Sequence, residues 1–259
     1  MLTDLPTYVI NLDRRPDRWQ HTWLSLQQHG FSNVKRISAV DGRRLPANQI
    51  KDLVEKEAYL QLNKPRRRHE DLGSLGAVGC YLSHVLVWKQ IALSGLPSIV
   101  MEDDANFVAS FQKYDVLHNF EKMCRGYDFV LLGFSKLRSK SMTKGNNVVV
   151  PLQSMFFGTG FYYITPEGAS KLLQAAFPMD MQVDSYMGVK ALQGQVKAGV
   201  HLPSLTHDSN LGTDIQTNPC VRCDEEDQGG DRSGAYMRWL FVAAIVVAVL
   251  TVFHFRYPR

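Results

Sequence analysis

Residues 98–107, SIVMEDDANF, join a short apolar run directly to three consecutive acids. The run predicts a buried strand that ends near Glu102. Because side chains alternate between the two faces of a strand, we expect Glu102 and Asp104 to share a face. Carboxylates placed in this way suit Mg²⁺ or Mn²⁺, which prefer oxygen ligands. A solvated acidic turn at a strand end explains the triplet equally well.

On both sides of this run, segments typical of strands alternate with segments typical of helices. The predicted strands cover 7–12, 34–40, 98–102, 127–133, 146–153, 156–165 and 195–202. The predicted helices cover 16–30, 47–62, 74–94, 111–123, 166–177 and 184–193. This alternation indicates an α/β fold with a mostly parallel central sheet flanked by helices.

Ligands of such sheets bind outside the carboxyl ends of the strands, where the strand order reverses. The residues that follow each apolar run are therefore the candidate site: Asp13 to Arg18, Asp41 and Gly42, Glu102 to Asp104, and Gly133 to Lys136. GSLGAVG at 73–79 lacks the Lys-Ser/Thr of a phosphate-binding loop. Its glycines also do not follow a strand, so a dinucleotide-binding fingerprint is not indicated.

Three arginines, Arg14, Arg15 and Arg18, crowd the start of the helix behind the first strand. Guanidinium groups pair with phosphate oxygens, and helix N-termini also attract anions. The cluster predicts an anionic ligand, and a solvated basic surface is the alternative.

Cys80, His84 and Trp88 share one face of the helix predicted at 74–94. A Cys-His zinc pair here has no partner pair with ligand spacing, so core packing is the better interpretation of Cys80 and Trp88, and His84 stays open. Asp184 and His207 are polar residues that each follow an apolar run. They are candidates for a catalytic base or a metal ligand.

The chain has 259 residues, of which 45% are hydrophobic and 21% charged, and its formal net charge is +4. This length allows one large domain, alone or with an appendage. The charge is too small to indicate nucleic acid binding. Four cysteines do not form a disulfide framework and favour a reducing compartment. CVRC at 220–223 leaves a local disulfide, or a weak metal or redox signal, open.

The two ends of the chain differ in character. The N-terminus has no basic region, long apolar region or cleavage site, so we expect no signal peptide. Residues 239–253, WLFVAAIVVAVLTVF, carry no charge and follow an acidic, glycine-rich stretch, which predicts a C-terminal transmembrane helix as a membrane anchor. A buried core segment is the alternative. We expect a catalytic domain at 1–214 on the cytosolic face, a flexible linker at 215–236 and the anchor at 237–259.

The order of several motifs is more specific than any one of them. YVINLDRRPDRW, ISAVDG, GAVGCYLSHVLVW, IVMEDDANF, YDFVLLG, GTGFYYITPEGASKLL and QVDSYM follow one another between residues 8 and 187. This series resembles glycosyltransferase family 25, the lipopolysaccharide-type β-galactosyltransferases and collagen hydroxylysine galactosyltransferases. The resemblance implies a GT-A fold, a UDP-sugar donor that is most often UDP-galactose, and a Mn²⁺-dependent (or Mg²⁺-dependent), inverting transfer to a hydroxyl of a glycan or protein acceptor.

The resemblance also implies roles for individual residues. Asp184 matches the family's aspartate that is the candidate general base. The metal ligands would be Glu102 and Asp104, with His207 as a third. The donor-binding residues would be Asn11, Asp13, Arg14, Arg15, Arg18, Asp41, His84 and Asp103.

One position departs from the family pattern, because Ala77 stands where members usually carry Glu. This departure favours the alternative of a non-catalytic protein that binds nucleotide sugars or carbohydrates. The intact triplet and Asp184 favour the enzyme. A nucleotidyltransferase on the same sheet architecture predicts pyrophosphate as its product. A glycoside hydrolase would use two carboxylates facing each other across the sugar, and a contiguous triplet does not supply them.

Overall fold

The expected alternation of helices and strands is present in the computed structural model, which describes residues 1–139, 147–208 and 212–215. The strands are β1 (Thr7–Asn11), β2 (Val34–Ser38), β3 (Ser98–Glu102), β4 (Ala105–Phe107), β5 (Phe129–Gly133), β6 (Lys136–Leu137), β7 (Val148–Pro151), β8 (Phe156–Phe157), β9 (Phe161–Ile164), β10 (Ala198–Leu202) and β11 (Thr206–Asp208). The α-helices are α1 (Pro16–Gln28), α2 (Ala47–Leu53), α3 (Lys56–Gln61), α4 (Leu75–Ser94), α5 (Val116–Cys124), α6 (Pro166–Gln174) and α7 (Val183–Leu192).

Seven strands form the central sheet, in the order β2-β1-β3-β9-β5-β10-β7. Strands β2, β1, β3, β5 and β10 run in one direction, and β9 and β7 run against them. The mostly parallel sheet predicted from the sequence is therefore confirmed. The chain leaves β1 toward β2 on one side and returns to β3 on the other. The strand order thus reverses between β1 and β3, where a ligand crevice is expected.

The antiparallel strand β9 lies between β3 and β5. Because it runs against β3, its first residue, Phe161, pairs with Met101 near the carboxyl end of β3. The turn that precedes β9, residues 158–160, therefore reaches the same sheet edge as the acidic triplet.

Alternating residues of the buried strands supply two hydrophobic clusters, one on each face of the sheet. Val100, Leu131 and Tyr162 pack with α4, α6 and α7 on one face. Ile99, Met101 and Val130 pack with α1 and α5 on the other face. Each large side chain buried in this way contributes about 1.5–3 kcal/mol. The triplet therefore follows a strand that is held on both faces.

Helix α4 begins at a capped N-terminus close to the sheet edge. The Ser74 hydroxyl accepts a hydrogen bond from the Ala77 amide at 3.0 Å, and Gly95 ends the helix in a left-handed conformation. The loop after β2 crosses this helix at Gly42 and Gly79, where a Cβ on either residue would meet backbone atoms of the other segment. These glycines bring Asp41 and the first turns of α4 to the same edge.

Two predicted helices differ from the structure. The helix expected at 47–62 is broken between α2 and α3, because Val54 bridges to Met179 and the Glu55 carboxylate caps α3. The segment expected to be helical at 111–123 begins with a 3-10 turn, Phe111–Lys113, before α5.

The predicted linker at 215–236, apart from Ile215, lies outside the described residues, as do the CVRC pair and the predicted anchor at 237–259. Within the described ranges, no helix combines the length and apolar character needed to span a bilayer.

Candidate active site

Two adjoining cavities open at the sheet edge where β1, β2 and β3 end. One, of about 250 Å³, is lined by Asp13, Arg14, Asp41 and Arg44 among others. The other, of about 60 Å³, contains the whole acidic triplet together with residues from α4. Both cavities include Leu12, Arg14, Ala39, Val40 and Asp41. The predicted segments after the first three strands therefore meet in one crevice.

Asp103 is the innermost acid of the triplet, with 7% of its surface exposed. The Arg18 guanidinium donates to its Oδ1 at 3.0 Å, and the Asn11 side-chain amide donates to its Oδ2 at 2.6 Å. Burial raises the pKa of Asp103 even though Asn11 and Arg18 act in the opposite direction. Asn11, Arg18 and Asp103 thus form a buried support beneath the crevice.

Asp104 is the most exposed carboxylate of the triplet, with 27% of its side chain accessible, against 14% for Glu102 and 9% for Asp103. It lines the smaller cavity, and its Oδ2 lies 3.5 Å from Arg18 Nη1. A ligand that enters the cavity therefore has better access to Asp104 than to its two neighbours.

Glu102 lies at the end of a chain of hydrogen bonds between buried aromatic side chains. Trp88 Nε1 donates to the Tyr162 hydroxyl at 2.9 Å, and that hydroxyl lies 2.9 Å from His84 Nδ1. His84 Nε2 lies 3.3 Å from Glu102 Oε1. The His84 ring thus lies between the Tyr162 hydroxyl and Glu102. Burial raises the pKa of Glu102, but the contacts with His84 and Thr159 outweigh it, and the net shift is downward.

The turn at residues 158–160 joins Glu102 to Asp184. The Thr159 hydroxyl donates to Glu102 Oε1 at 2.5 Å, and the Gly158 amide donates to Asp184 Oδ2 at 3.0 Å. The carbonyl of Gly160 accepts from the Glu102 amide at 3.0 Å. Two acids that are 82 positions apart in the sequence are thus fixed by neighbouring residues of one turn.

Asp184 lies in the first turn of α7, where a carboxylate interacts favourably with the helix dipole. The amide and hydroxyl of Ser185 also donate to its Oδ1. Burial nevertheless raises the pKa of Asp184, more than the hydrogen bonds from Gly158 and Ser185 lower it. A half-buried carboxylate with a raised pKa is suited to accept a proton from a substrate hydroxyl.

Cys80, His84 and Glu102 place one ligand atom each within 4.8 Å of one another. This sulfur, nitrogen and oxygen set suits a softer cation than Mg²⁺ or Mn²⁺. Burial, followed by the charges of Glu102 and Asp184, raises the pKa of Cys80 well above its usual range. The thiol is therefore neutral and is no activated nucleophile.

The remaining predicted site residues lie around this centre. Asp13 is exposed and forms an ion pair with Arg36, with Oδ1 and Nη2 2.7 Å apart. Asp41 forms an ion pair with Arg14, with Oδ2 and Nε 3.0 Å apart. Arg14 and Arg15 both contact Asp214, a residue that the sequence did not indicate. His207 is exposed on β11, opposite Asn106 and beyond the triplet. Ala77 is 2% exposed and packs in the core, so in this chain that position is used for packing.

Sequence reasoning also missed Thr159 and Tyr162 as site residues. Both belong to the GTGFYY stretch, and a polar side chain directly before a buried run was the available signal. The rule for ligand positions considers only the carboxyl ends of strands. The antiparallel strand β9 has its first residue, not its last, at this edge of the sheet.

Comparison with known proteins identifies the family. The profile of glycosyltransferase family 25 (LPS biosynthesis protein) matches residues 4–187. A glycosyltransferase 25 family member from Aedes aegypti is 29% identical over 189 residues, which cover 70% of this chain and 30% of that protein. Human procollagen galactosyltransferase 2 is 30% identical over 194 residues, which cover 70% of this chain and 29% of that protein. The chain thus matches about a third of the length of these relatives.

Among solved structures, a protein from Bacillus anthracis described as a glucose-1-phosphate thymidylyltransferase aligns with this chain at a TM-score of 0.40 and 9% identity. The alignment covers 75% of this chain and 86% of that one. A likeness at this level does not define the fold or the function. The family profile spans β1 and the acidic triplet, which meet in the crevice, and also Asp184, which the turn at 158–160 joins to Glu102. The chain belongs to glycosyltransferase family 25.

Proposed function

We propose that this chain transfers a hexose, with galactose as the first candidate, from a UDP-sugar to a hydroxyl of a glycan or protein acceptor. The transfer is metal-dependent and inverting, on a GT-A fold. The observation that carries the proposal is the turn at 158–160, which holds Glu102 and Asp184 in one site. Family membership and the galactosyltransferase names of the relatives support the sugar.

Donor binding falls to the sheet edge that carries the arginines. Arg14 and Arg18 line the smaller cavity, and Arg15 contacts Asp214 in its wall. Their guanidinium groups match the oxygens of a diphosphate. The larger cavity beside them, between the ends of β1 and β2, has room for the nucleoside.

The carboxylates present fit a divalent cation. Mg²⁺ and Mn²⁺ are commonly held by one or two carboxylates together with substrate phosphates, and they prefer oxygen. Asp104 is accessible from the cavity, and Glu102 is fixed next to it by Thr159. Asp104 and Glu102 would hold the ion, which supplies positive charge that stabilises a departing diphosphate.

Proton transfer falls to Asp184. Inversion requires the acceptor oxygen to attack the sugar on the face opposite the leaving group, so the base must be separate from the diphosphate site. Asp184 is held on a different element, α7, and its raised pKa favours proton uptake. This division between an acidic sheet edge and a separate, half-buried carboxylate matches a transferase.

The proposal is tested with the full-length chain and a panel of UDP-sugars, with and without Mn²⁺, in the presence of hydroxylated glycan and peptide acceptors. We expect Mn²⁺-dependent release of UDP and a glycosylated product of inverted anomeric configuration. Nucleotide-sugar binding without turnover would favour a non-catalytic binding protein. Release of pyrophosphate would favour a nucleotidyltransferase.

A further inference from the structure

Residues 212–215, called the strap here, supply Asp214 and Ile215 to the wall of the smaller cavity. Arg14 Nη1 donates to Asp214 Oδ1 at 2.7 Å, and Arg15 Nη1 donates to Oδ2 at 2.6 Å. Arg18 Nη2 lies 3.7 Å from Oδ2. The Asp214 carboxylate therefore contacts all three guanidinium groups that are proposed to bind the donor.

The backbone of the strap is also held in place. Arg43 donates to the Asp214 carbonyl at 3.3 Å, Arg18 donates to the Gly212 carbonyl, and the Ser74 hydroxyl donates to the Ile215 carbonyl. Gly76 allows this approach, because a Cβ there would collide with the Asp214 carbonyl. These bonds do not involve the Asp214 side chain, so the strap keeps them when the carboxylate is neutralised.

While the Asp214 carboxylate is bound to the arginines, the negative charges around them disfavour the binding of a second anion. Among the residues that the structure describes, five carboxylates lie within 4.0 Å of the three guanidinium groups: Asp17, Asp41, Asp103, Asp104 and Asp214. The cluster therefore already carries excess negative charge. A diphosphate would add to it at contact distance, where like charges repel strongly.

Of the five acids, Asp214 is the one that both lines the cavity and contacts Arg14, Arg15 and Arg18 together. Asp103 is fixed from below by Asn11, Asp41 bonds the Arg43 amide, and Asp17 lies outside the cavity lining. Burial raises the pKa of Asp214, but the bonds from Arg14 and Arg15 outweigh it, and the net shift is downward. The carboxylate is therefore charged at neutral pH.

We propose that the Asp214 carboxylate occupies the position of a phosphoryl group of the donor, so that the strap and a diphosphate compete for Arg14, Arg15 and Arg18. This inference rests on the proposed function for the identity of the ligand. Asp214 would then be an internal competitor that the donor must displace. The arginine cluster would bind one anionic group at a time, either the Asp214 carboxylate or the diphosphate.

The experiment measures binding of UDP, inorganic pyrophosphate and uridine to the full-length chain by calorimetry, without divalent metal. We compare wild type with Asp214→Asn, which keeps the shape of the side chain, and with Asp214→Ala. Asp17→Asn is the matched control, because Asp17 also pairs with Arg15, at 2.8 Å, but outside the cavity. Both Asp214 variants should bind UDP and pyrophosphate about tenfold more tightly, the effect of one competing charge-assisted hydrogen bond. Uridine affinity should not change. Asp17→Asn should tighten anion binding less than either Asp214 variant, because the Asp17 carboxylate lies outside the cavity lining.

Equal or weaker affinity of the Asp214 variants for both anions overturns the inference, and so does the absence of measurable binding to any of the proteins. Equal tightening of uridine also contradicts it, because the competition would then be steric. Suppose that wild type transfers no sugar from any donor, while the Asp214 variants still bind pyrophosphate more tightly than wild type does. The proposed function then fails and the competition stands.

Discussion

The Thr159 hydroxyl donates a hydrogen bond to Glu102 Oε1, across the boundary between the antiparallel strand β9 and the parallel strand β3. With His84 on the other side, it fixes the carboxylate at the end of β3. Glu102 is therefore a positioned group with defined partners, which a solvated acid at a strand end would not be.

Thr159→Val removes this hydrogen bond and keeps the shape of the side chain. We expect kcat/KM for the donor to fall about tenfold, the effect of one hydrogen bond to a charged group, with little change in melting temperature. Thr159→Ser retains the hydroxyl and should keep most of the activity. Equal losses in the two variants would show that the methyl group, and not the bond to Glu102, is what matters.

Tyr162→Phe leaves two buried groups, Trp88 Nε1 and His84 Nδ1, without the hydroxyl that serves both. The free energy of unfolding, measured in urea, should fall by about 1–3 kcal/mol for these unsatisfied groups. The control is Tyr163→Phe on the same strand, because the Tyr163 hydroxyl has no hydrogen bond to any residue that the structure describes. The change there should stay within about 0.5 kcal/mol. Similar losses in both variants would contradict the chain of hydrogen bonds that leads to Glu102.

Arg18→Met leaves the Asp103 carboxylate buried without its main cation. Breaking a buried ion pair from one side costs about 3 kcal/mol of unfolding free energy. Asp103→Asn should cost much less, because burial already raises the pKa of Asp103 and so disfavours its charged form. The double variant should be more stable than Arg18→Met alone, as a double-mutant cycle in urea would show. Strictly additive losses would mean that the two residues do not interact.

Asp184→Asn should bind UDP as wild type does and lose about 10²- to 10⁴-fold in kcat, the usual effect of removing a general base. The raised pKa of Asp184 also predicts the sign of the pH dependence. A base must be deprotonated, so activity falls as the pH drops, and it falls at a higher pH than for an aspartate of ordinary pKa 3.8. The rate profile of wild type should show this acid limb, and the residual activity of Asp184→Asn should lack it. An unchanged kcat would exclude Asp184 as the base.

Much of the fold could be predicted because the apolar runs of β1, β3 and β5 are buried on both faces and leave a clear signal in the sequence. The sequence could not show that β9 runs against its neighbours, since a short buried strand has the same composition in either direction. The break between α2 and α3 depends on Met179, which is far from it in the chain. Local periodicity carries no information about such a contact.

The candidate site was predicted in part for the same reason. Residues directly after parallel strands, such as Arg18 and Asp103, follow from the rule for ligand positions, and the structure brings them together. Thr159 reaches Glu102 from the turn that precedes an antiparallel strand, and Asp214 reaches the crevice through the strap. Asp103 is buried and Asp104 is accessible because Arg18 and Asn11 bind Asp103. The sequence of the triplet alone does not indicate this difference.

The most direct test is a Mn²⁺ titration of UDP release from UDP-galactose by wild type, Asp104→Asn and the control Asp52→Asn, a substitution on the exposed surface of α2. Asp104→Asn should lose Mn²⁺-dependent release by at least about 100-fold, the scale of a lost transition-state electrostatic interaction. Its melting temperature should stay near or above that of wild type, because one carboxylate leaves a crowded acidic cluster. Asp52→Asn should titrate as wild type does. Wild-type turnover with an unchanged Mn²⁺ response in Asp104→Asn would contradict the assignment of the triplet to the metal and donor diphosphate.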